Sequence, residues 1–470
     1  MKLLVINGSP KGKNSITLQS LNYLEKLHPE HEFRHLHAGQ IIRALESDFS
    51  GAEEALSWCD HIIFSYPVYT FIAPAQLHRF VELLFQRGID LVGRFATSIT
   101  TSKHFYDVTA HKYIEENSLD LGLKYVKGLS ADMDDLTKPE GRRELESFFN
   151  YFIWCIETNT HEHRKSADIT YESIPATIPE IPENEEKSGD VVIITDCKDE
   201  QSNLYRMIER FRRVFPRKTR IFNIADFPFQ GGCLGCFSCA VSGKCIYKDN
   251  FDTTLRENIQ TADAIVYAFD IKYHSFGSRM KMYNDRNFCN GHRTVTVGMP
   301  VAYLLSGDYE REENLRMIIE GRADVGHNFL AGVATDEKVS LALRDSSCAA
   351  GEALTTTDLA INKMAEKLTY ALDKKYVQPQ SFLGIGGMKI FRDLIYLMRG
   401  MMRADHKFYK KGGYYKDFPQ RQWPKSLLMY LVGFMIGNEK LKKKIGNKMT
   451  EGMLMPYNKV LADLDKRLRG

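Results

Sequence analysis

The sequence predicts two doubly wound, parallel α/β sheets in tandem, followed by a basic helical C-terminal extension. Three observations carry this expectation: apolar runs of strand length alternate with helical periods, the same order of elements is written twice, and an aperiodic stretch separates the copies. At 470 residues the chain also exceeds one ordinary core. The separating stretch, residues 172–190, reads ESIPATIPEIPENEEKSGD, with three prolines and six acidic side chains, and is read as an inter-domain linker. The expected boundaries are 1–170 for the first domain, 171–189 for the linker, 190–377 for the second domain and 378–470 for the extension.

In the first copy KLLVING is a buried strand, followed by a loop and a helix through Leu18, Leu21 and Leu24. HIIFSYPVY, RFATSITTS and YVKGLSADM are three further strands, and a helix through Leu145, Phe148, Phe149, Phe152 and Ile153 closes the unit. In the second copy DVVIITDC, AIVYAFDIKY, PVAYLLSG and FLAGVATD stand in corresponding places, closed by a helix through Leu359, Met364 and Leu368. Beyond Gly384, Ile390, Leu394, Leu397, Met398, Met401 and Met402 recur at helical spacing, with Arg392, Arg399 and Arg403 between them. A second such helix starts at Ser426, and Lys440 to Lys444 form a basic cluster. The preferred reading is a small helical cap packed on the second domain; a basic amphipathic surface for peripheral membrane contact is the alternative.

From Lys389 to Gly470 there are 19 Lys and Arg against 7 Asp and Glu, whereas the first 388 residues carry 44 against 53. A basic tail on an acidic body suits an anionic partner or its own acidic domains; no nucleic acid is expected. The apolar run Leu3–Ile6 breaks directly into Asn7-Gly8-Ser9-Pro10, too short for a secretory leader, and Ser426–Gly437 is too short to span a bilayer. Nine cysteines without a leader point to a reducing, cytoplasmic setting.

Two loops carry the candidate chemistry. The first strand runs into GSPKGKNS and a helix: Gly8 and Gly12 free backbone amides to point inward, Lys11 and Lys13 add charge, and Ser9, Asn14 and Ser15 add short donors, a cradle for a phosphate. Turn chemistry alone also places Gly and Ser at such a junction. The second loop is GGCLGCFSCAVSGKC, where Cys233, Cys236, Cys239 and Cys245 are spaced CxxCxxCx5C among glycines that let backbone wrap a small centre. A cubane iron–sulfur cluster asks for four such thiolates. Structural zinc, which usually joins two separated knuckles, is the alternative, and reduced inert thiols the third reading. Thr100, Thr101 and Ser102 end the third strand, where this architecture brings a further loop to a ligand at its switch point. His104, Tyr106 and His111 follow and could hydrogen-bond a ligand, with the structural reading preferred.

GSPKGKNS followed by SYPVYTFIAPAQLHRF resembles the NADPH-dependent FMN reductase branch of the flavodoxin-like proteins, and CLGCFSCAVSGKC resembles the iron–sulfur flavoproteins of that branch. The resemblance implies a flavodoxin-like fold for both copies. It implies that Ser9, Lys11, Lys13, Asn14 and Ser15 hold the FMN phosphate and that Pro67, Val68, Tyr69 and Thr70 lie along the ring system, with Thr100–Ser102 beside them. It further implies a [4Fe-4S] cluster on the four cysteines, NAD(P)H as electron donor, and a small-molecule or protein electron acceptor. No catalytic side chain is assigned, because the cofactor carries the reaction. The copies depart from the pattern in complementary ways: the first lacks the cysteine run, while the second has TDCKDEQSN for its phosphate loop, with Asp196, Asp199 and Glu200 opposing a dianion, and Asp270-Ile271-Lys272 for Pro-Val-Tyr. One FMN in the first copy and one cluster in the second is the resulting expectation. In the iron–sulfur flavoproteins the cluster of one subunit lies near the flavin of another, so this chain would be a covalent version of that dimer, with Cys233–Cys245 near Tyr66–Thr70; a homodimer of the whole chain is a further expectation. The alternative is a zinc-stabilised flavodoxin-like redox-sensing or docking protein without turnover.

Overall fold

The computed structural model describes residues 1–104, 107–163, 171–180, 187–338, 354–437, 454–455 and 457–469. Tyr106, Cys348 and the Lys440–Lys444 cluster lie outside them. Residues 1–406 form one compact unit and 407–470 another.

The first sheet contains β1 (Lys2–Asn7), β2 (Glu32–Leu36), β3 (His61–Pro67), β4 (Phe95–Ser102), β5 (Lys124–Tyr125) and β6 (Leu129–Asp132), with α1 (Ile16–Leu27), α2 (Ala38–Ser47), α3 (Ser50–Trp58), α4 (Ala75–Gln86), α5 (Val108–Asp120) and α6 (Pro139–Thr158) between and after the strands. Its order is β2-β1-β3-β4-β5, with β6 also pairing β4, and every pair is parallel. The second contains β7 (Val191–Thr195), β8 (Thr219–Asn223), β9 (Ala264–Asp270), β10 (Pro300–Ser306) and β11 (Phe329–Thr335), in the order β11-β10-β9-β7-β8, again parallel. Its helices are α7 (Asn203–Val214), α8 (Ser238–Ser242), α9 (Phe251–Thr254), α10 (Gly277–Arg286), α11 (Glu313–Gly326) and α12 (Thr356–Lys374). The two sheets share one topology.

β1 shows why these strands form. Leu3 and Val5 pack with Leu18, Leu21 and Leu24 of α1 and with Phe149 and Phe152 of α6, while Leu4 and Ile6 face the opposite layer. Alternate residues of a strand point to opposite faces, so a strand covered on both sides is apolar throughout. That second layer is continuous between the copies: it joins Leu77, Phe80, Val81 and Leu84 of α4 to Phe276, Met280 and Tyr283 near and on α10, and to Val192 and Ile194 of β7.

The α4–α10 contact is reciprocal. The turns Tyr69–Ile72 and Lys272–Ser275 are each closed by a short antiparallel bridge. Their central residues adopt left-handed φ: Thr70 +45° and Phe71 +74° in one, Tyr273 +51° and His274 +60° in the other. Ala75 and Ser278, each three residues beyond its turn, open α4 and α10. The Ala75 N–H donates to Asp285 Oδ2 at 2.8 Å; the Ser278 N–H donates to Glu82 Oε1 at 2.6 Å and its hydroxyl to Oε2 at 2.7 Å. Each helix thus satisfies orphan first-turn donors of the other, as an isologous twofold contact requires. The symmetry is broken one turn earlier along the helices. Lys281, fully buried and paired with Asp285, donates to Tyr69 O and Thr70 Oγ1, both at 2.7 Å. Its counterpart His78 stacks on Tyr113 at 4.0 Å, and burial holds its pKa well below the ordinary value. A second clamp joins the halves at His274, whose Nε2 meets Asp120 Oδ2 at 2.7 Å and whose Nδ1 meets Glu312 Oε1 at 2.9 Å, with Glu116 beside them.

α13 (Phe382–Leu397) packs on α11 as the predicted cap, but through a different face. Gly384, Gly387, Arg392 and Ile395 are buried, whereas Leu397 of the predicted apolar stripe is 79% exposed. The reason is close approach: a Cβ at Gly384 would stand 2.7 Å from Asp324 O, and Ser381 Oγ donates to Asp324 Oδ2 at 2.5 Å. α14 (Arg403–Lys411) and α15 (Trp423–Gly437) follow. No helix among the described residues is long and apolar enough to cross a membrane.

Two outcomes follow for the interface. Lys281→Met leaves Asp285 buried without its cation and is expected to cost about 3–5 kcal/mol in urea unfolding, while Lys281→Met with Asp285→Leu recovers much of that loss. At His274, burial opposes the charged ring, but the bonds to Asp120 and Glu312 outweigh it and raise the pKa from 6.5 to about 10. A folded value above the unfolded one stabilises fully below about pH 6.5, and the contribution is lost as pH rises through 10. The stability difference between the native protein and His274→Gln is therefore expected to shrink across that window in urea titrations.

Candidate functional site

The loop after β1 is wrapped around the buried Asn7 side chain, whose Nδ2 donates to Gly12 O at 2.8 Å and whose Oδ1 accepts from Ser9 N at 3.1 Å. Gly12 has φ +53°, and a methyl there would collide with the Gln40 amide of α2; a Cβ at Gly8 would stand 2.7 Å from Leu77. Glycine at both places lets the backbone take this path. Ser9 is buried under the loop, Lys11 is half-buried, Lys13 and Asn14 are exposed, and Ser15 is buried at the start of α1. The Ser15 side chain makes no capping bond, so it leaves first-turn N–H groups of α1 for an outside acceptor.

Pro67, Val68 and Tyr69 leave β3 beside this loop, and Val68 N donates to Thr101 O at 3.2 Å. The Thr101 hydroxyl lies 2.6 Å from that of Thr17 on α1, tying the end of β4 to the start of that helix. Ser102 Oγ donates to Asp107 and accepts from His104 N. Two further predicted residues also have their hydroxyls engaged: Thr70 Oγ1 donates to Asp285 Oδ1 at 2.9 Å, and Thr100 Oγ1 lies 2.9 Å from His111 Nε2. His111 also bonds Ser98, and burial lowers its pKa to about 4, so it is a neutral strut in keeping with its structural reading.

The cysteine loop lies between β8 and α9. Cys236 is exposed; Cys233, Cys239 and Cys245 are half-buried, and burial pushes the Cys233 thiol up to about 12 and Cys239 to about 11. No three of these thiols lie within 4.8 Å of one another. Several contacts here have no local signal in the sequence. Arg286 of α10, almost fully buried, forms a bidentate pair with Asp249 at 2.8 Å, donates to Gly231 O at 2.9 Å, and points Nη2 at Cys245 Sγ from 3.7 Å. Gln76 of α4 donates to Cys233 O at 3.3 Å. The buried Cys289 thiol is raised to about 12 by burial and further by Cys245 and Cys239, which places a fifth sulfur beside the motif.

The two loops meet. Gly235, with φ +59°, lies so close to Tyr69 that a methyl would run into its hydroxyl, with Lys11 Cε at 3.6 Å. Lys11 Nζ stands 5.7 Å from the ring centre of Phe237. The corresponding mouth of the second sheet is closed instead. Ser202 caps α7 by accepting from Tyr205 N at 3.2 Å. Asp336, fully buried, accepts from Tyr171 and Ser173 of the linker, from Asn203 of α7 and from Ser306 of β10 at 2.6–2.9 Å. The linker therefore lies over the carboxyl ends of β10 and β11.

A doubly wound sheet written twice, with a Gly- and Lys-bearing loop before an uncapped helix on one copy and four thiols on the other, defines the class. Residues 1–133 match the family model described as Flavodoxin-like fold. The chain is 23% identical to an iron–sulfur flavoprotein of Archaeoglobus fulgidus over 193 residues, 39% of this chain and 79% of that protein. Among solved structures it is similar to an NAD(P)H:quinone oxidoreductase from Methanothermobacter marburgensis (14% identity, 35% of this chain and 99% of that one, TM-score 0.27). It is also similar to an FMN-dependent NADH-azoreductase from Bacillus anthracis in complex with FMN (14%, 32% and 98%, TM-score 0.24). The chain is a tandem flavodoxin-like protein that resembles the NADPH-dependent FMN reductase and iron–sulfur flavoprotein family.

Asp336→Ala removes the shared acceptor of several part-buried or exposed donors and is expected to cost about 1–3 kcal/mol in urea unfolding. Faster proteolysis within residues 171–180 should accompany it.

Proposed function

We propose that the chain is a flavin-dependent electron-transfer oxidoreductase that holds FMN on its first half and a [4Fe-4S] cluster on its second. NAD(P)H or a reduced carrier is the donor; a quinone, another small molecule or a protein is the acceptor; the setting is cytoplasmic. The observation that carries this reading is the meeting of Gly235 with Tyr69 and Lys11, which brings two candidate cofactor loops from different halves to one place. When bound, a flavin exchanges electron pairs with nicotinamide and single electrons with a cluster.

The residues fit these groups. Ser9, Lys11, Lys13, Asn14, Ser15 and the uncapped start of α1 offer donors and charge to a phosphate dianion. Pro67, Val68 and Tyr69 would flank a planar ring, with Thr101 and Ser102 at its side, while Lys281 fixes the Tyr69 carbonyl and so the attitude of that wall. Four thiols that must lose protons to bind suit a cationic centre. A third cysteine inside the first knuckle supports a cubane over a single tetrahedral zinc, whose sites usually join two separated knuckles. Arg286 would offset thiolate charge at Cys245. The Archaeoglobus relative supports the same assignment.

Anaerobic reconstitution separates this reading from the zinc-stabilised docking alternative. About one flavin and about four iron and four labile sulfide per chain are expected. Gly12→Ala should lose flavin and keep iron; Cys233→Ala with Cys236→Ala should do the reverse. Zinc without labile sulfide, or a chain that takes up neither chromophore, would overturn the proposal.

A further inference from the structure

Helix α15 is apolar on every side. After Lys425 its sequence to Gly437 carries no charge. Leu427, Leu428, Met429, Tyr430 and Leu431 are successive residues, each between 52% and 80% exposed, and Phe434 is 73% exposed. Successive helical residues step by about 100°, so these five sample the whole circumference. A protein groove, or a second copy of the chain, covers one stripe of a helix; a lipid phase covers all of it. The 15-residue helix is about 22 Å long against a hydrocarbon core of about 30 Å, so it can enter a leaflet and cannot span.

Two neighbouring features fit the same partner. In helical residues 457–469, exposed Tyr457, Val460, Leu461, Leu464 and Leu468 recur at three- and four-residue intervals, the stripe of a helix lying in the interface plane. Residues 407–470 hold 15 Lys and Arg against 5 Asp and Glu, a net excess that an anionic headgroup layer neutralises. Trp423, exposed at the start of α15, is placed where an aromatic ring anchors a helix at the headgroup level.

We infer that the C-terminal unit is a monotopic membrane anchor: α15 inserts into one leaflet of an anionic bilayer, and the surrounding basic residues bind its headgroups. This stands independently of the redox reading, since neither cofactor enters the argument.

The test is sedimentation of the full-length protein with vesicles of phosphatidylcholine alone and with about one-third phosphatidylglycerol, at low salt. Binding to the anionic vesicles is expected to be at least roughly tenfold tighter. Leu428→Glu with Leu431→Glu should weaken binding to both by more than roughly tenfold. Lys410→Gln, Lys411→Gln and Lys416→Gln together should abolish most of the difference between vesicles while leaving weak binding to neutral lipid. These side chains are exposed or at a helix end, and an unchanged circular dichroism spectrum confirms folding. Brominated acyl chains should quench a fluorescence component that disappears in Trp423→Phe. Failure to bind anionic vesicles overturns the inference. So does a lipid-free dimer by light scattering that dissociates on Leu428→Glu with Leu431→Glu and shows no vesicle binding, which would assign α15 to a second copy.

Discussion

Two carboxylates, Glu82 and Asp285, hold the molecule to its shape. Each is buried, and each is made tolerable by first-turn donors of a helix it does not belong to. Neither half can therefore complete its own hydrogen bonding at this surface: α4 needs Asp285, and α10 needs Glu82. The apolar layer around them closes the rest of the contact, so the two sheets share one inner core layer while each keeps its own on the outer face. Once that packing is fixed, Gln76 lies under Cys233, and Gly235 has nowhere to go except against Tyr69.

The copies have diverged at the same structural positions. Where the first copy leaves α1 uncapped, the second closes α7 with Ser202 and covers the mouth with Tyr171 and Ser173 through Asp336. Where the first copy continues from β2 into α2 and α3, with Gly39 against Gly8, the second inserts the cysteine loop after β8. The linker thus does more than connect: it covers the carboxyl ends of β10 and β11 through Asp336.

Buried strands, closing helices and both motif loops were legible because their signals are local: continuous apolar runs, glycine at a strand-to-helix junction, thiols at fixed spacing. β2 and β8 were missed, since EFRHL and TRIFN are half-buried edge strands whose polar residues hide the period. YVKGLSADM, read as one strand, is split into β5 and β6 with Gly128 between them, where a Cβ would meet Ser98 and His111. Arg286, Cys289 and Gln76 were invisible as site residues because only the tertiary fold brings them to the loop. The counterpart of Pro-Val-Tyr at Asp270-Ile271-Lys272 was legible by counting, and the two turns superpose in bridge and φ.

Fusion explains an asymmetry that a homodimer could not hold. In a symmetric dimer each interface position carries the same side chain twice, so any gain on one side is imposed on the other. Here the paired positions differ: His78 against Lys281, Thr70 against Tyr273, Glu82 against Asp285. Lys281 can reach across to the Tyr69 carbonyl and the Thr70 hydroxyl because Thr70 is small, and the reverse bond is absent because His78 is neutral and stacked on Tyr113. The result is one stiffened turn, at Tyr69, on the side where α1 is left uncapped. A single covalent chain also keeps the two loops together at any concentration, whereas a dimer would lose the contact on dilution.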